Sequence, residues 1–172
     1  NDLDYFPQVL APYLDTNFTN QETAFEVQKH FEERYYSPWM YAAAPICVKE
    51  AKWPISAFSE GYGSNLIRVD PSWIPELVLQ SNYDAFSTVN EPAVTTKWMN
   101  MRVFPTQKPL YKNPALPGEG YPFDLLQNSS CAFNAPVFIS HYSKVASWVY
   151  LFTNNAPVWV EREVIAVFNT TQ

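Results

Sequence analysis

The residue pattern changes once along the chain, at Glu91-Pro92, and this change limits the architecture more than any other feature. Downstream lie short runs dominated by valine, isoleucine and aromatic residues, at 94–104, 137–142, 148–153 and 158–168, the last with a turn at Glu161-Arg162. Such runs are strand text. A long stretch containing proline, glycine and asparagine, residues 106–134, separates the first run from the others. Several short strands with one long interruption predict a small barrel with an extended excursion. The expected fold class is therefore mainly β with a helical and irregular N-terminal segment, an α+β chain. The expected boundary divides residues 1–91 from residues 92–172.

Upstream of that boundary the text is different. Residues 19–22 read T-N-Q-E, a capping-box spacing in which threonine and glutamate satisfy each other's free amides at a helix start. Ala24, Val27, Phe31 and Tyr35 then recur at helical spacing, predicting an amphipathic helix that ends before Pro38 and whose aromatic stripe belongs to a core. Residues 36–64 are rich in aromatics and interrupted by Pro38, Pro45 and Pro54, which predicts a packed, extended wrap with little regular structure. Asp70-Pro71 pairs an N-cap aspartate with a proline at the first helical position, predicting a second helix through Leu77 to about Gln80.

With 47% hydrophobic and 17% aromatic residues in 172, there is enough apolar area for one large or two modest cores. A net charge of −6 argues against nucleic acid, whose binders gather lysine and arginine into a positive patch. No apolar run approaches the roughly 20 residues of a membrane-spanning helix. The chain begins at Asn1 without methionine, which is the expectation for a processed or trimmed form with any signal peptide removed.

Only four glycines occur, in two pairs: Gly61 and Gly63 in G-Y-G-S-N-L, and Gly118 and Gly120 in G-E-G-Y-P-F-D-L-L-Q-N-S. Each pair marks a tight, specified loop. Neither has the spacing or the following helix of a nucleotide loop. These segments resemble the multidomain NlpC-type cysteine peptidases that cleave γ-D-glutamyl-diamino-acid bonds in cell-wall peptides. R-Y-Y-S-P-W (34–39) followed by G-Y-G-S-N-L (61–66) is similar to the family's N-terminal clip. M-R-V-F-P-T-Q-K-P-L-Y (101–111), with the second glycine segment, resembles the first of its two bacterial SH3-like (SH3b) barrels. The resemblance implies a clip over residues 1–91 and an SH3b barrel over 92–172. It implies, as partners, a downstream SH3b domain, a papain-like catalytic domain and peptidoglycan stem peptides, in the periplasm or cell envelope. The second barrel and the catalytic domain, with its D-C-S-G-type cysteine and later histidine, have no counterpart in these 172 residues.

The residues agree that this stretch is not itself an enzyme. A cysteine peptidase needs a thiolate with an imidazole in reach. Cys47, in A-P-I-C-V-K, and Cys131, in N-S-S-C-A-F, lack a recognisable helix start and read as buried structural thiols. His30 and His141 cannot be paired with either, and read as surface or packing histidines. Neither a metal nor a cofactor is indicated. One polar constellation stands out: Glu119, Tyr121, Asp124 and Gln127, within nine residues of the second glycine loop. In relatives the barrel beside the catalytic domain walls the active-site cleft, and acidic and tyrosine side chains there meet the free amine of the stem peptide. A carboxylate suits an ammonium, which marks Glu119 or Asp124. Alternatively, Tyr121, Phe123 and Leu126 pin the loop while Asp124 caps a turn. The leading expectation is a non-catalytic accessory region of a cell-wall peptidase. A free-standing SH3b binding or inhibitory protein, and a hydrolase using carboxylates, are the alternatives.

Overall fold

The computed structural model describes Tyr5, Val9 and residues 21–168, with the side chains of Gln21 and Glu22 left aside. The capping box at 19–22 therefore lies outside the described residues. Helix α1 spans Gln21–Tyr35 and ends, as its spacing requires, before Pro38. Its Phe25, Val27 and Phe31 are exposed, which corrects the expectation that the stripe is core. Periodicity identifies the apolar face of a helix; it does not say what covers it.

The described residues from Tyr35 onward form a separate compact unit. Its centre is one antiparallel sheet built from β1 (Glu91–Thr95), β2 (Met99–Arg102), β3 (Gln127–Cys131), β4 (Pro136–Tyr142), β5 (Trp148–Phe152), β6 (Pro157–Glu161) and β7 (Ile165–Val167), in the order β3-β2-β6-β5-β4-β1-β7. The expected run at 94–104 is broken into two strands, and the expected turn at Glu161-Arg162 is a single 3-10 turn, Arg162–Val164. Strand β3 falls inside the segment expected to be loop. Its Asn128, Ser129 and Ser130 are exposed and it pairs with β2 alone, so an edge strand carries no hydrophobic alternation for the sequence to display.

Both faces of the sheet are covered, and successive residues go to opposite sides. Val137, Ile139, Val149, Leu151, Val158 and Val160 form an aliphatic layer with Ala93, Met99 and Met101. Phe138, Tyr150, Phe152 and Trp159 form an aromatic layer on the other face with Ala51 and Tyr83. A bulge in β4 between Ile139 and His141 shifts the register against β5, so His141 pairs with Tyr150. Strict alternation would put His141 with Ile139; the extra residue turns it into the aromatic layer instead. It lies 5.3 Å from the Tyr150 ring and 5.2 Å from the Trp159 ring, centroid to centroid.

The stretch before β1 covers this aromatic layer. Over residues 36–64 it is a chain of short helical turns rather than the extended wrap expected, with a 3-10 turn (Ser37–Met40), α2 (Val48–Ala51) and α3 (Trp53–Ala57), and the expected second helix follows as α4 (Trp73–Gln80). Pro38 and Pro54 sit at first-turn positions, where the missing amide costs least, so they start helices instead of preventing them. The Trp39 indole donates to Ala93 O (2.8 Å), and Tyr41 stands edge-on to Phe138. Helix α4 starts two residues later than Asp70-Pro71 predicts, because the Asp70 carboxylate accepts the Ser72 amide and forms a turn ahead of it. Its Ile74 and Leu77, one turn apart, close a third core with Val103, Phe104, Leu110 and Leu126.

Candidate ligand-binding loop and its neighbours

The first glycine segment is joined by one strand-like bridge to the root of the excursion that carries the second, Gly61 and Gly118 being 57 positions apart. Tyr62 and Tyr111 exchange both backbone hydrogen bonds at 2.8 Å. Gly61 permits this: a Cβ there would lie 2.4 Å from Leu110 Cδ1 and 2.8 Å from Tyr111 O. The Tyr111 ring is in turn edge-on to the Tyr121 ring at 5.9 Å. Burial, with the Asp124 carboxylate and Tyr121 nearby, raises the Tyr111 phenol above its usual pKa, against the opposing charge of Arg102. It stays a neutral hydroxyl.

Gly120 has φ +78° and its α-carbon faces Pro114 so closely that a Cβ would come within 2.9 Å of the Pro114 backbone. Folding residues 114–120 this tightly sets the tip of the excursion apart from its neck. At the tip, Leu116, Tyr121 and Phe123 are exposed, Tyr121 by 73%. Glu119 accepts from Lys112 Nζ at 3.0 Å.

The four sequence-selected residues divide between these two levels. Glu119 and Tyr121 belong to the tip. Asp124 and Gln127 belong to the neck, and both turn towards Arg102: its Nη1 donates to Asp124 Oδ2 (2.6 Å) and to Gln127 Oε1 (2.8 Å). The other Asp124 oxygen accepts the amides of Leu110 (3.0 Å) and Leu126 (2.9 Å). Asp124 is thus fully used in closing the neck and caps the turn at Leu126. Of the three residues expected as apolar pins, only Leu126 is buried; Tyr121 and Phe123 face outward. Arg102 was missed because nothing in M-R-V-F marks an arginine on a strand as buried, and it is 2% exposed.

The groups tested for nucleophilic chemistry are separately placed. Cys47 and Cys131 are both free thiols. Cys47 is exposed and is the N-cap of α2, with Glu50 returning to its amide, which corrects the reading of a buried thiol away from any helix start. Cys131 is half-buried beside the aliphatic layer, and burial pushes its thiol up. The His141 ring is fully buried and has both nitrogens engaged, 3.0 Å from Ser140 Oγ and from Ser81 O. A carbonyl only accepts, so Nε2 carries the proton and Nδ1 accepts from the Ser140 hydroxyl. Burial lowers its pKa to about 4, against the raising effect of the Ser81 carbonyl. His141 is a neutral packing residue. His30 is exposed, 3.6 Å from Glu33. Among the described residues no group of three histidines, cysteines or carboxylates is placed to hold a metal, and no helix is long and apolar enough to cross a membrane.

Comparison with known proteins agrees with this architecture. Residues 1–86 match the family model described as the NLPC_P60 stabilising domain, N term, and residues 109–161 match an SH3 domain of SH3b1 type. No curated protein matches significantly. A solved structure described as a novel NlpC/P60 endopeptidase from Photobacterium damselae subsp. piscicida is similar with a TM-score of 0.82 over 98% of this chain, at 21% identity. The present chain spans 41% of that one. The chain belongs to the NlpC/P60 family, as its N-terminal stabilising domain followed by an SH3 domain of the SH3b type.

Proposed function

We propose that this chain is the non-catalytic accessory region of a cell-envelope peptidase, with residues 1–91 as clip and 92–172 as SH3b module. It scaffolds a downstream SH3b domain and a cysteine peptidase domain that cleaves γ-D-glutamyl-diamino-acid bonds in the periplasm or cell envelope. It also supplies one wall of the cleft for the peptidoglycan stem peptide. In this reading the tip of the second glycine loop meets the free amine of that peptide. Glu119 offers the carboxylate and Tyr121 a ring and hydroxyl beside it, while Asp124 and Gln127 act from below by holding the neck.

The observation that carries this reading is the separation of tip from neck. A half-buried acid and an exposed tyrosine stand on a loop whose base is fixed by polar bonds to the buried Arg102. Rigid scaffolds presenting short polar loops are the usual form of a recognition surface. The test is titration of the chain with the tripeptide L-alanyl-γ-D-glutamyl-meso-diaminopimelate. Glu119→Gln should weaken binding about tenfold or more, since a charge-assisted hydrogen bond is worth about 1.5–3 kcal/mol. Equal affinity in the variant removes Glu119 from the site.

A further inference from the structure

We infer that Arg102 is a positioning residue that holds the Glu119–Tyr121 tip in one geometry by clasping both ends of the excursion from which it projects. The inference rests on the reading of that tip as a peptide-binding loop. Arg102 ends β2, where a bulge against β3 follows Met101. Its Nε donates to Thr106 O (2.9 Å) and its Nη2 to Lys108 O (3.1 Å), both on the outgoing limb. Its Nη1 donates to Asp124 Oδ2 and Gln127 Oε1 on the returning limb. Asp124 extends the clasp, because its second oxygen joins Leu110 N on one limb to Leu126 N on the other, and Leu125 N reaches Leu110 O (2.8 Å).

The choice of side chain fits a geometric task better than a stabilising one. A buried ion pair loses hydration on both partners and is weak evidence for net stability, whereas its directional bonds define a single arrangement. Only the planar guanidinium fork has donors enough, in fixed directions, to reach two carbonyls, a carboxylate and an amide together; an ammonium is a compact charge on a flexible stem. Above the clasp the tip is held by few bonds of its own, among them Leu116 N to Asn113 O, Glu119 N to Leu116 O and Phe123 N to Gly120 O. The Glu119 carboxylate is held besides by Lys112 and the Tyr121 ring by Tyr111, both on the outgoing limb, so a fixed neck is what keeps these cross-limb contacts, and the two groups, in register. Preorganisation of this kind lowers the ordering cost at binding.

The experiment compares wild type with Arg102→Met, Arg102→Lys and Asp124→Asn. It measures amide hydrogen exchange residue by residue and affinity for L-alanyl-γ-D-glutamyl-meso-diaminopimelate. Asparagine keeps the oxygen that serves Leu110 and Leu126 and removes the charge facing Arg102, so it reports on the clasp even if Arg102→Met fails to fold. Exchange at Leu116, Glu119 and Phe123 should rise about tenfold while β4, β5 and β6 keep their protection. Peptide affinity should fall about tenfold, and Arg102→Lys should lie between. Unchanged exchange at those three amides overturns the inference. So does a uniform loss of protection across the sheet with affinity intact, which is the signature of a general stabiliser. A wild-type tip that is protected, loosens in the variants and yet binds no peptide refutes the ligand reading and leaves the clasp standing.

Discussion

Tyr62 and Tyr111 form a two-bond backbone bridge that joins the first glycine segment to the root of the second, tying the stabilising region to the loop expected to meet ligand. The bridge requires a residue without a side chain at Gly61, because Leu110 and the Tyr111 carbonyl occupy the space. Gly61→Val is therefore expected to destabilise by about 1–3 kcal/mol, the usual cost of overpacking. Differential scanning calorimetry should show a fall of roughly 2–4 °C per kcal/mol for a chain of this size. An unchanged melting temperature means that the two segments are not held together by this contact.

His141 gives the chain an acid-sensitive core. Its folded pKa, about 4, lies below its ordinary 6.5, so the unfolded chain binds the proton more readily. The resulting stability is fully present above pH 6.5 and is lost as pH falls towards 4, by roughly 3 kcal/mol in total. Urea denaturation between pH 7.5 and 4 should show this slope, and His141→Gln should flatten it even where the variant is less stable throughout. A wild-type denaturation midpoint that does not move between pH 6.5 and 4 contradicts the buried neutral assignment.

In the proposed site Lys112 is expected to compete with the ligand ammonium for Glu119, since its Nζ lies 3.0 Å from that carboxylate. The pair is solvent-exposed and worth at most about 1 kcal/mol. Lys112→Met should strengthen binding of the free-amine tripeptide up to about fivefold, with the gain shrinking as salt is raised. Isothermal titration at two salt concentrations checks this. A loss of affinity in the variant assigns the lysine, not the glutamate, to the ligand.

The sequence showed the strands that bury alternate side chains and the helices that carry capping or periodic signals, because those signals are local. It did not show β3, whose Q-N-S-S-C is polar because an edge strand has one neighbour and faces water. Nor could it place His141, whose side is decided by a one-residue bulge rather than by its own chemistry. The four candidate residues were selected as a group, but their division into tip and neck depends on Arg102, which precedes Asp124 by 22 positions and is recognisable only from its partners in the folded chain. The apolar stripe of α1 was legible as a stripe; its exposure was not.

The cover over the aromatic layer leads to a further expectation. Tyr41, Ala44, Ile46, Ala51, Tyr83 and Phe86 pack against Phe138, Tyr150, Phe152 and Trp159. A chain of residues 90–172, which keeps β1 whole, should expose that layer, bind a hydrophobic dye and lose its cooperative melting transition. A monomeric fragment that melts cooperatively shows that the region before β1 is not required by the sheet.

The central claim, that the loop tip recognises the amine of a peptidoglycan stem peptide, is tested most directly by nuclear magnetic resonance titration of the isotope-labelled chain. L-alanyl-γ-D-glutamyl-meso-diaminopimelate is compared with the same tripeptide acetylated at its N-terminus. The account predicts saturable shifts centred on Glu119 and Tyr121 for the free amine, and affinity at least about tenfold weaker for the acetylated form, whose alanine end carries no ammonium while its diaminopimelate amine is unchanged. Equal shifts for both peptides, or shifts that leave residues 118–123 untouched, contradict it.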